Sequence, residues 1–236
     1  MRRETLLVSD LDGTLLGNNA ALGRFAEWHE RCRTDVRLVY ATGRFFDSVV
    51  ELVKSTPLPE PLAVIGAAGT EVRMYVGGKR VGCWPYVSPR WNPGGIRSLL
   101  EECSELELQP LEFQTGLKVS YFANNLDPIF LSDWRLDLPD VEIIYSSNRY
   151  LDILPGGVNK GSAAAFLANR LHFLPEQVIV AGDDGNDVRM FQLGFRGIVV
   201  GNALPALKSI TPLNAYHSRL PFADGVLDGI EYWLGE

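Results

Sequence analysis

The sequence predicts an α/β fold, with a Rossmann-like core built on a parallel sheet and an inserted α+β region. Three observations predict it. Short apolar strands alternate with amphipathic helices near both ends of the chain, polar turns follow the strands, and the alternation stops in the middle. We expect residues 1–84 and 158–236 to form the core and residues 85–157 to form a second domain. A chain of 236 residues, 46% of them hydrophobic, is long enough to bury both interiors.

The first part of the core alternates strand and helix. An apolar run at 6–8 predicts a buried strand, and apolar residues at helical spacing predict a helix at 20–32. Strands at 37–41 and 62–66 flank a second predicted helix at 46–54. Parallel strands bring their carboxyl ends to one edge of the sheet, where ligands bind in such folds. We therefore expect the polar side chains after these strands to lie close together.

The middle of the chain has a different pattern. Segments 71–74 and 80–83 flank Gly77-Gly78, which predicts a hairpin just before the insert. Inside the insert we expect helices at 95–103 and 128–136 and strands at 117–122, 141–145 and 150–154.

The alternation returns after the insert, so the last third of the chain should rejoin the parallel sheet. The predicted elements are a helix at 163–171, a strand at 178–181, a short helix at 188–193, a strand at 197–200 and a last helix at 225–234.

Composition excludes several classes of function. The net charge of −7 makes a nucleic-acid backbone an unsuitable partner. The three cysteines have no paired spacing, which argues for a reducing compartment without disulfides or a zinc site. Neither a cleavable signal nor a membrane-spanning run is visible, so a cytoplasmic protein is expected.

Two carboxylates one residue apart, Asp10 and Asp12, follow the first predicted strand. Gly13 then ends the strand and lets the backbone approach a ligand. Two acids beside a buried strand repel each other unless a positive charge lies between them, and oxygen ligands suit Mg²⁺. On these residues alone, a turn with two solvated acids remains open.

Three further polar clusters stand at strand or helix ends. Thr42 follows the second strand, Asp183 and Asp187 follow the strand at 178–181, and Lys160 precedes a helix. A lysine at a helix start opposes the helix dipole, so it requires an anionic partner, either the nearby carboxylates or a phosphate. Phosphoryl transfer to a carboxylate needs a nucleophile, a second acid, a cation and hydrogen-bond donors. Together the four clusters supply each of these groups.

These clusters resemble the four motifs of the haloacid dehalogenase (HAD) superfamily, in its phosphatase branch. The matching stretches are Asp10-Leu11-Asp12-Gly13-Thr14, Thr42-Gly43-Arg44, Lys160-Gly161 and Gly182-Asp183-Asp184-Gly185-Asn186-Asp187. The resemblance implies a HAD core with an inserted α+β cap of the C2 type, as in the sugar phosphatases. Within that group the chain most resembles the sucrose-6-phosphate phosphatases, through residues 40–44, 118–121, 146–155 and 159–161.

The resemblance assigns a role to each matching residue. Asp10 would be the nucleophile that becomes an aspartyl-phosphate, and Asp12 the general acid and base. The phosphate would be held by Thr42, Gly43, Lys160 and Asn186, of which Thr42 and Lys160 also count as catalytic. The implied cofactor, Mg²⁺, would be held by Asp10, the backbone carbonyl of Asp12, Asp183 and Asp187. Asp184 departs from the pattern, because relatives often have a small neutral residue there, and we expect its carboxylate to point away.

The second domain is expected to recognise the sugar. The candidate contacts are Arg44 at the core edge and Lys118, Ser120, Ser146, Ser147 and Asp152 in the insert. Because Lys118 alternates with Leu117 and Val119, it lies on the opposite face of its strand, and a sugar contact and a solvated lysine remain equally open. Aromatic side chains are expected mainly in the domain interior rather than as a stacking platform for sugar: Trp84, Trp91, Tyr121, Phe122 and Trp134.

The resemblance therefore predicts an enzyme, a Mg²⁺-dependent phosphoric monoester hydrolase that converts sucrose 6-phosphate to sucrose. The alternative substrates are other glycosyl phosphates, namely those of mannosylfructose, glucosylglycerol and a glycosylglycerate. A different class of function is a non-catalytic module that binds a sugar phosphate. The resemblance also implies a partner, a glycosyltransferase that makes the sugar phosphate. The presence of both Asp10 and Asp12 argues against the binding module, since binding alone does not need both acids.

Overall fold

The computed structural model describes residues 4–124, 126, 140–209 and 214–235. The chain divides into two compact units. The first comprises 1–84 with 160–236, and the second comprises 85–159. The helix predicted at 128–136 lies outside the described residues.

Eleven strands and seven α-helices are present in the described part of the chain. The strands are β1 (Thr5–Ser9), β2 (Val36–Ala41), β3 (Ala63–Gly66), β4 (Glu71–Met74), β5 (Glu107–Leu108), β6 (Val119–Phe122), β7 (Val141–Ser146), β8 (Tyr150–Pro155), β9 (Val178–Gly182), β10 (Arg196–Val199) and β11 (Ala215–His217). The helices are α1 (Asn19–Cys32), α2 (Phe46–Ser55), α3 (Pro93–Leu100), α4 (Lys160–Arg170), α5 (Val188–Phe191), α6 (Pro205–Lys208) and α7 (Phe222–Leu234).

The first unit is built on a seven-stranded sheet in the order β11-β10-β9-β1-β2-β3-β4. Every neighbouring pair is parallel except β3 and β4. All five residues of β1 are buried, because helices cover both faces of a parallel sheet and its central strand has no solvated side. The predicted α/β fold is confirmed.

The local sequence explains where the helices of the first unit begin. The side chain of Asn18 accepts a hydrogen bond from the Ala21 amide and so caps α1. Helix α4 begins at Lys160, three residues earlier than predicted, and α7 begins at Phe222, also three residues earlier. Hydrophobic spacing marks the buried face of a helix but not its first turn, so both starts were placed late.

The hairpin predicted around Gly77-Gly78 is wrong in part. Its first arm is β4, but the second arm at 80–83 forms only a single bridge, between Arg73 and Arg80. β4 pairs instead with β3, along four residues. Pairing with β3 adds β4 to an existing sheet, whereas an isolated two-stranded hairpin is only marginally stable.

The second unit contains a four-stranded sheet in the order β5-β6-β8-β7, and the described strand pairs are all antiparallel. One face of this sheet is apolar and packs with α3 through Ile96 and Leu100. Val119, Leu151 and Ile153 on this face are completely buried. The residues that alternate with them lie on the opposite face, which is more polar.

Three short elements were not predicted: β5, α6 and β11. Each has two to four residues, too few to show a hydrophobic period. Among the described helices, none combines the length and the hydropathy needed to cross a membrane.

Candidate active site

The carboxyl ends of three neighbouring strands bring the predicted site residues together. Asp10 follows β1, Thr42 follows β2 and Asp183 follows β9. The Asp10 amide donates to the carbonyl of Ala181 at 3.0 Å, which continues the parallel ladder to the point where both strands end. The backbone of the sheet thus places these polar residues at the same edge, as the alternating pattern predicted.

Lys160 is the centre of this cluster. It is the first residue of α4, and its side chain is completely buried. Its Nζ lies 2.6 Å from Oδ1 of Asp10 and 2.7 Å from Oδ1 of Asp187. The anionic partner predicted for this lysine is therefore a pair of carboxylates. Burial opposes the charged form of Lys160, but the two carboxylates outweigh burial and raise its pKa.

The acids around Lys160 carry more negative charge than one lysine neutralises. Burial raises the pKa of Asp10 well above its usual range; Lys160 opposes this rise, and Asp187 and Asp183 add to it. Burial, followed by the charge of Asp187, raises the pKa of Asp183 to about 7. A cation placed among these acids would favour their ionised forms.

The carboxylates of Asp10, Asp183 and Asp187 form a cluster that suits a hard divalent cation. One oxygen from each lies within 4.8 Å of the others. Carboxylate oxygens are the ligands that Mg²⁺ prefers, so this set fits the cofactor. Asp187 is the most extensively bonded of the three, because its Oδ2 also accepts from the amides of Asp183 at 3.0 Å and Asp184 at 3.3 Å.

The turn after Asp12 is shaped to admit Asp183. Gly13 has φ +88°, and a side chain at this position would collide with the Asp183 carboxylate. Thr14 then donates its hydroxyl to Oδ1 of Asp183 at 3.0 Å. Thr14 had no role in the sequence prediction, although its place directly after Gly13 was a usable signal.

Asp12 lies outside the buried cluster of side chains and pairs with Arg44. The guanidinium makes two hydrogen bonds to the carboxylate, at 2.7 and 2.8 Å. The Asp12 side chain is 52% exposed and that of Arg44 39%, so both face solvent. The Arg44 amide also donates to the hydroxyl of Thr42 at 3.1 Å. Arg44, predicted as a sugar contact, is thus bonded to two residues of the predicted reaction site, Asp12 and Thr42.

The other predicted core residues have distinct surroundings. Gly43 is exposed, and a Cβ at this position would meet no atom within 4 Å. Asn186 is half-buried in a 3₁₀ turn, Gly185–Asp187. Asp184 caps this turn, with its Oδ1 accepting from the Gly185 amide at 2.6 Å. The extra carboxylate in the motif therefore stabilises a local turn.

Three of the candidate sugar contacts of the second unit, Ser120, Ser146 and Asp152, share one sheet face. Ser120 on β6 lies directly opposite Asp152 on β8. Ser146 on β7 lies opposite Tyr150 on β8. Because Tyr150 and Asp152 are two residues apart on the same strand, Ser146 is on the same face of the sheet as Asp152. The Asp152 carboxylate accepts from Ser120 Oγ at 2.6 Å and from Lys118 Nζ at 3.2 Å.

Lys118 and Ser147 differ sharply in exposure. Lys118 is 4% exposed, so the alternative of a solvated lysine is wrong. Ser147 lies beyond the end of β7 in an exposed turn, with φ +53°.

The aromatic residues mostly follow the expected interior placement. Tyr121 belongs to the buried cluster of the second unit, and Trp91 packs against it. Phe122 lies on the polar face, and its ring is tilted against that of Tyr150, with the ring centroids 6.1 Å apart. Trp84 belongs to the first unit, where it donates to the Gly69 carbonyl at 2.9 Å. Trp134 lies outside the described residues.

Comparison with known proteins identifies the family. Residues 3–234 match the sequence model of sucrose-6F-phosphate phosphohydrolase. The chain belongs to this family. The predicted membership of the HAD phosphatases is thereby confirmed, and the chain is a phosphoric monoester hydrolase.

Individual relatives extend this result. The mannosylfructose-phosphate phosphatase of Agrobacterium fabrum (strain C58 / ATCC 33970) is 35% identical, over 99% of this chain and 98% of the relative. The glucosylglycerol-phosphate synthase of Pseudomonas anguilliseptica is 31% identical over 97% of this chain, which spans only 30% of that longer protein. The sucrose-phosphatase of Synechocystis sp. PCC6803, solved with sucrose and phosphate, superposes with a TM-score of 0.91, 31% identity and 98% coverage of both chains.

Proposed function

We propose that this chain catalyses the Mg²⁺-dependent hydrolysis of sucrose 6-phosphate to sucrose, through an aspartyl-phosphate intermediate. One observation carries the reaction: the completely buried Lys160 lies between Asp10 and Asp187, at 2.6 and 2.7 Å. A lysine held at a carboxylate can neutralise the charge that a bound phosphate brings and leave the carboxylate able to attack. The choice of sucrose 6-phosphate is supported by the match to the sucrose-6F-phosphate phosphohydrolase family.

Two steps follow from this arrangement. In the first, an oxygen of Asp10 attacks phosphorus, and the sugar oxygen leaves with a proton from Asp12. In the second, Asp12 takes a proton from water, which attacks the phosphorus of the aspartyl-phosphate and releases inorganic phosphate with Asp10 restored. Thr42, Gly43, Lys160 and Asn186 donate hydrogen bonds to the phosphate oxygens during both steps.

Asp10 and Asp183 would hold Mg²⁺ through their carboxylates, and Asp12 through its backbone carbonyl. Asp187 would support the site through Lys160 and the amides of Asp183 and Asp184, to which it is already bonded. When bound, Mg²⁺ supplies positive charge that offsets repulsion between the phosphate and the acids.

The polar face of the second unit is proposed to recognise the sugar. Lys118, Ser120 and Asp152 form one bonded group on this face, and Ser146 lies on the same side of the sheet. The hydroxyl groups of a sugar can donate hydrogen bonds to the Asp152 carboxylate and accept them from the Lys118 ammonium. These side chains are therefore suited to binding a polyol. Arg44 would contact the substrate after releasing Asp12.

Mannosylfructose phosphate is the second candidate substrate. The observation in its favour is the 35% identity to a mannosylfructose-phosphate phosphatase along nearly the whole of both chains. The two disaccharides share the fructose and differ in the configuration of one carbon of the other sugar. Phosphates of glucosylglycerol and of a glycosylglycerate lack the fructose and serve as more distant alternatives.

The test is a comparison of phosphate release from four substrates: the phosphates of sucrose, mannosylfructose and glucosylglycerol, and an aryl phosphate. With Mg²⁺ present, kcat/KM should be highest for sucrose 6-phosphate. A chelator should abolish activity, and added Mg²⁺ should restore it. A higher kcat/KM for mannosylfructose phosphate would transfer the assignment to that sugar, and no release from any sugar phosphate would refute the proposal.

The proposed partner is a glycosyltransferase that supplies the sugar phosphate. The proposed compartment is the cytoplasm, which is a reducing environment. In the synthase of Pseudomonas anguilliseptica, a region similar to this chain occupies 30% of a longer protein. The cysteines Cys32, Cys83 and Cys103 form no disulfide with one another, consistent with a reducing compartment.

A further inference from the structure

The carboxamide of Asn202 joins two backbone segments that are far apart in sequence. Asn202 follows β10 at the carboxyl edge of the sheet. Its Nδ2 donates to the Gly13 carbonyl at 2.7 Å, and its Oδ1 accepts from the Phe222 amide at 2.8 Å. One side chain thus connects the loop after β1 to the start of α7, using both halves of its amide.

The partner segment at the start of α7 is itself held in place. Phe222 has φ +54°, an unusual conformation for an aromatic residue, and its ring lies where a side chain at Gly17 would be. Arg24 of α1 makes two hydrogen bonds to Asp224 of α7, at 2.6 and 2.9 Å. Asn202 therefore ties the Gly13 carbonyl to a helix start that packing and an ion pair already restrain.

Gly13 needs such a tie because glycine has little conformational preference of its own. The loop from Asp10 to Gly17 carries both acids of the proposed reaction. Within this loop, the Leu11 carbonyl accepts hydrogen bonds from the backbone amides of Thr14, Leu15 and Leu16, at 3.3, 3.0 and 2.8 Å. Rotation of the Gly13 peptide would displace the carboxylate of Asp12 on one side and the Thr14 contact with Asp183 on the other.

We propose that Asn202 is a positioning residue for phosphoryl transfer. By holding the Gly13 carbonyl, its carboxamide fixes the turn that presents Asp10 and Asp12 and keeps Thr14 at Asp183. Asn202 acts through the backbone of the loop, and its role is distinct from phosphate or sugar binding. The inference rests on the proposed phosphatase activity, and its test has a second readout that does not depend on that activity.

The test variant is Asn202→Asp. Aspartate has nearly the same shape and keeps the acceptor for the Phe222 amide, but it loses the donor to Gly13 and sets a carboxylate against that carbonyl. Asn214→Asp is the matched control, because Asn214 also donates its Nδ2 to a backbone carbonyl, that of Phe195, at the amino end of β10. Both changes remove one amide-to-carbonyl hydrogen bond from the same unit.

Steady-state kinetics should separate the two variants. Asn202→Asp is expected to lower kcat roughly tenfold to hundredfold with KM within about threefold of the wild type, since the chemical step rather than binding is disturbed. Asn214→Asp should lose a similar amount of thermal stability and keep the wild-type kcat. Equal kcat for the two variants, or an effect of Asn202→Asp confined to KM, would overturn the positioning role.

Hydrogen–deuterium exchange of the apo-protein provides the second readout. Asn202→Asp should speed exchange at the amides of residues 14–16, and Asn214→Asp should leave these amides unchanged. Unchanged exchange at 14–16 in Asn202→Asp would also overturn the inference. If the wild type hydrolyses no sugar phosphate, the proposed function fails, and exchange alone decides whether Asn202 holds the loop.

Discussion

Two lysines are buried among the described residues, one in each unit, and their surroundings differ. Lys160 contacts the carboxylates of Asp10 and Asp187, with Asp183 in the same acidic cluster. In the described part of the second unit, Lys118 contacts the carboxylate of Asp152, to which Ser120 also donates a hydrogen bond. Both lysines are paired, and in the first unit the three acids of the cluster outnumber their lysine.

The difference teaches how to separate the proposed reaction site from the proposed recognition face. A buried pair of one acid and one base is electrically balanced and can persist as part of a rigid polar face. Three acids around one base are unbalanced, and burial together with the repulsion between these acids raises the pKa values of Asp10 and Asp183. Such an imbalance indicates a place for a further cation. Four experiments test this contrast.

The largest effect is expected from Asp10→Asn. The amide retains the size of the side chain but removes the negative charge and the nucleophilic oxygen, so kcat should fall by at least about a thousandfold. Steady-state kinetics with sucrose 6-phosphate measures the loss, and a thermal melt checks that the fold is retained. Asp47→Asn, at an exposed position in the first turn of α2, is the control. Ordinary turnover by purified Asp10→Asn would contradict the mechanism.

A smaller but still large effect is expected from Lys160→Met. Methionine fills a similar volume without charge, so three acids remain without their base, and kcat should fall by roughly a hundredfold to ten-thousandfold. The melting temperature should fall more at pH 8 than at pH 5, because protonation of the acids at low pH relieves their repulsion. Lys54→Met removes an exposed ion pair with Glu51 and should change neither property. Equal losses of melting temperature at both pH values would show that charge imbalance is not the cause.

The change in the second unit, Lys118→Ala, should act on the substrate rather than on the reaction. Loss of one or two charge-assisted contacts should lower kcat/KM for sucrose 6-phosphate by roughly tenfold to several-hundredfold. Hydrolysis of an aryl phosphate, which lacks the sugar, should barely change. Lys79→Ala, at an exposed site in the first unit, is the control.

The two substrates make the Lys118→Ala experiment decisive. Equal slowing of both would mean that Lys118 supports the fold in general. If neither is slowed, the pair of Lys118 with Asp152 is structural, and recognition of the sugar lies elsewhere.

The smallest effect is a pH-dependent stabilisation by Mg²⁺. The pKa of Asp183 is about 7 in the folded protein, against an ordinary value of 3.8, so the unfolded chain releases this proton first as pH rises. The metal-free protein should therefore lose stability between about pH 4 and pH 7. Because Mg²⁺ binds the ionised carboxylates, saturating Mg²⁺ should raise the melting temperature more at pH 8 than at pH 5. A larger rise at pH 5 would refute the role of Asp183, and Asp183→Asn should remove most of the difference.

The sequence predicts which residues gather at the proposed reaction site better than it predicts the side-chain hydrogen bonds that join distant segments there. The strand pattern was enough to predict that Asp10, Thr42 and Asp183 lie close together, because parallel strands end at a common edge of the sheet. Lys160 could be matched to an anion because a lysine is unfavourable at a helix start. The hydrophobic periodicity of the sequence locates the strand and helix ends, and both of these predictions follow from those ends.

Other features depend on side-chain geometry that no pattern encodes. The bond of Arg44 to Asp12 and that of Asn202 to Gly13 join segments whose separation is set by packing rather than by spacing. Likewise, β4 forms because the edge of β3 is available, and local turn residues alone favoured a hairpin. The register of β6, β7 and β8 was needed to show that Ser120, Ser146 and Asp152 share a face.

The position of β1 in the middle of the sheet has a consequence for biosynthesis. One side of β1 pairs with β2, which emerges from the ribosome soon afterwards, with Leu6 opposite Arg37. The other side pairs with β9, where Leu6 lies opposite Val178, so this partner emerges only after the whole insert has been made. Until then the nascent chain exposes an apolar, unpaired strand edge, the feature that most readily recruits other chains into aggregates. Translation speed through the insert and access to chaperones should thus govern the yield of folded enzyme.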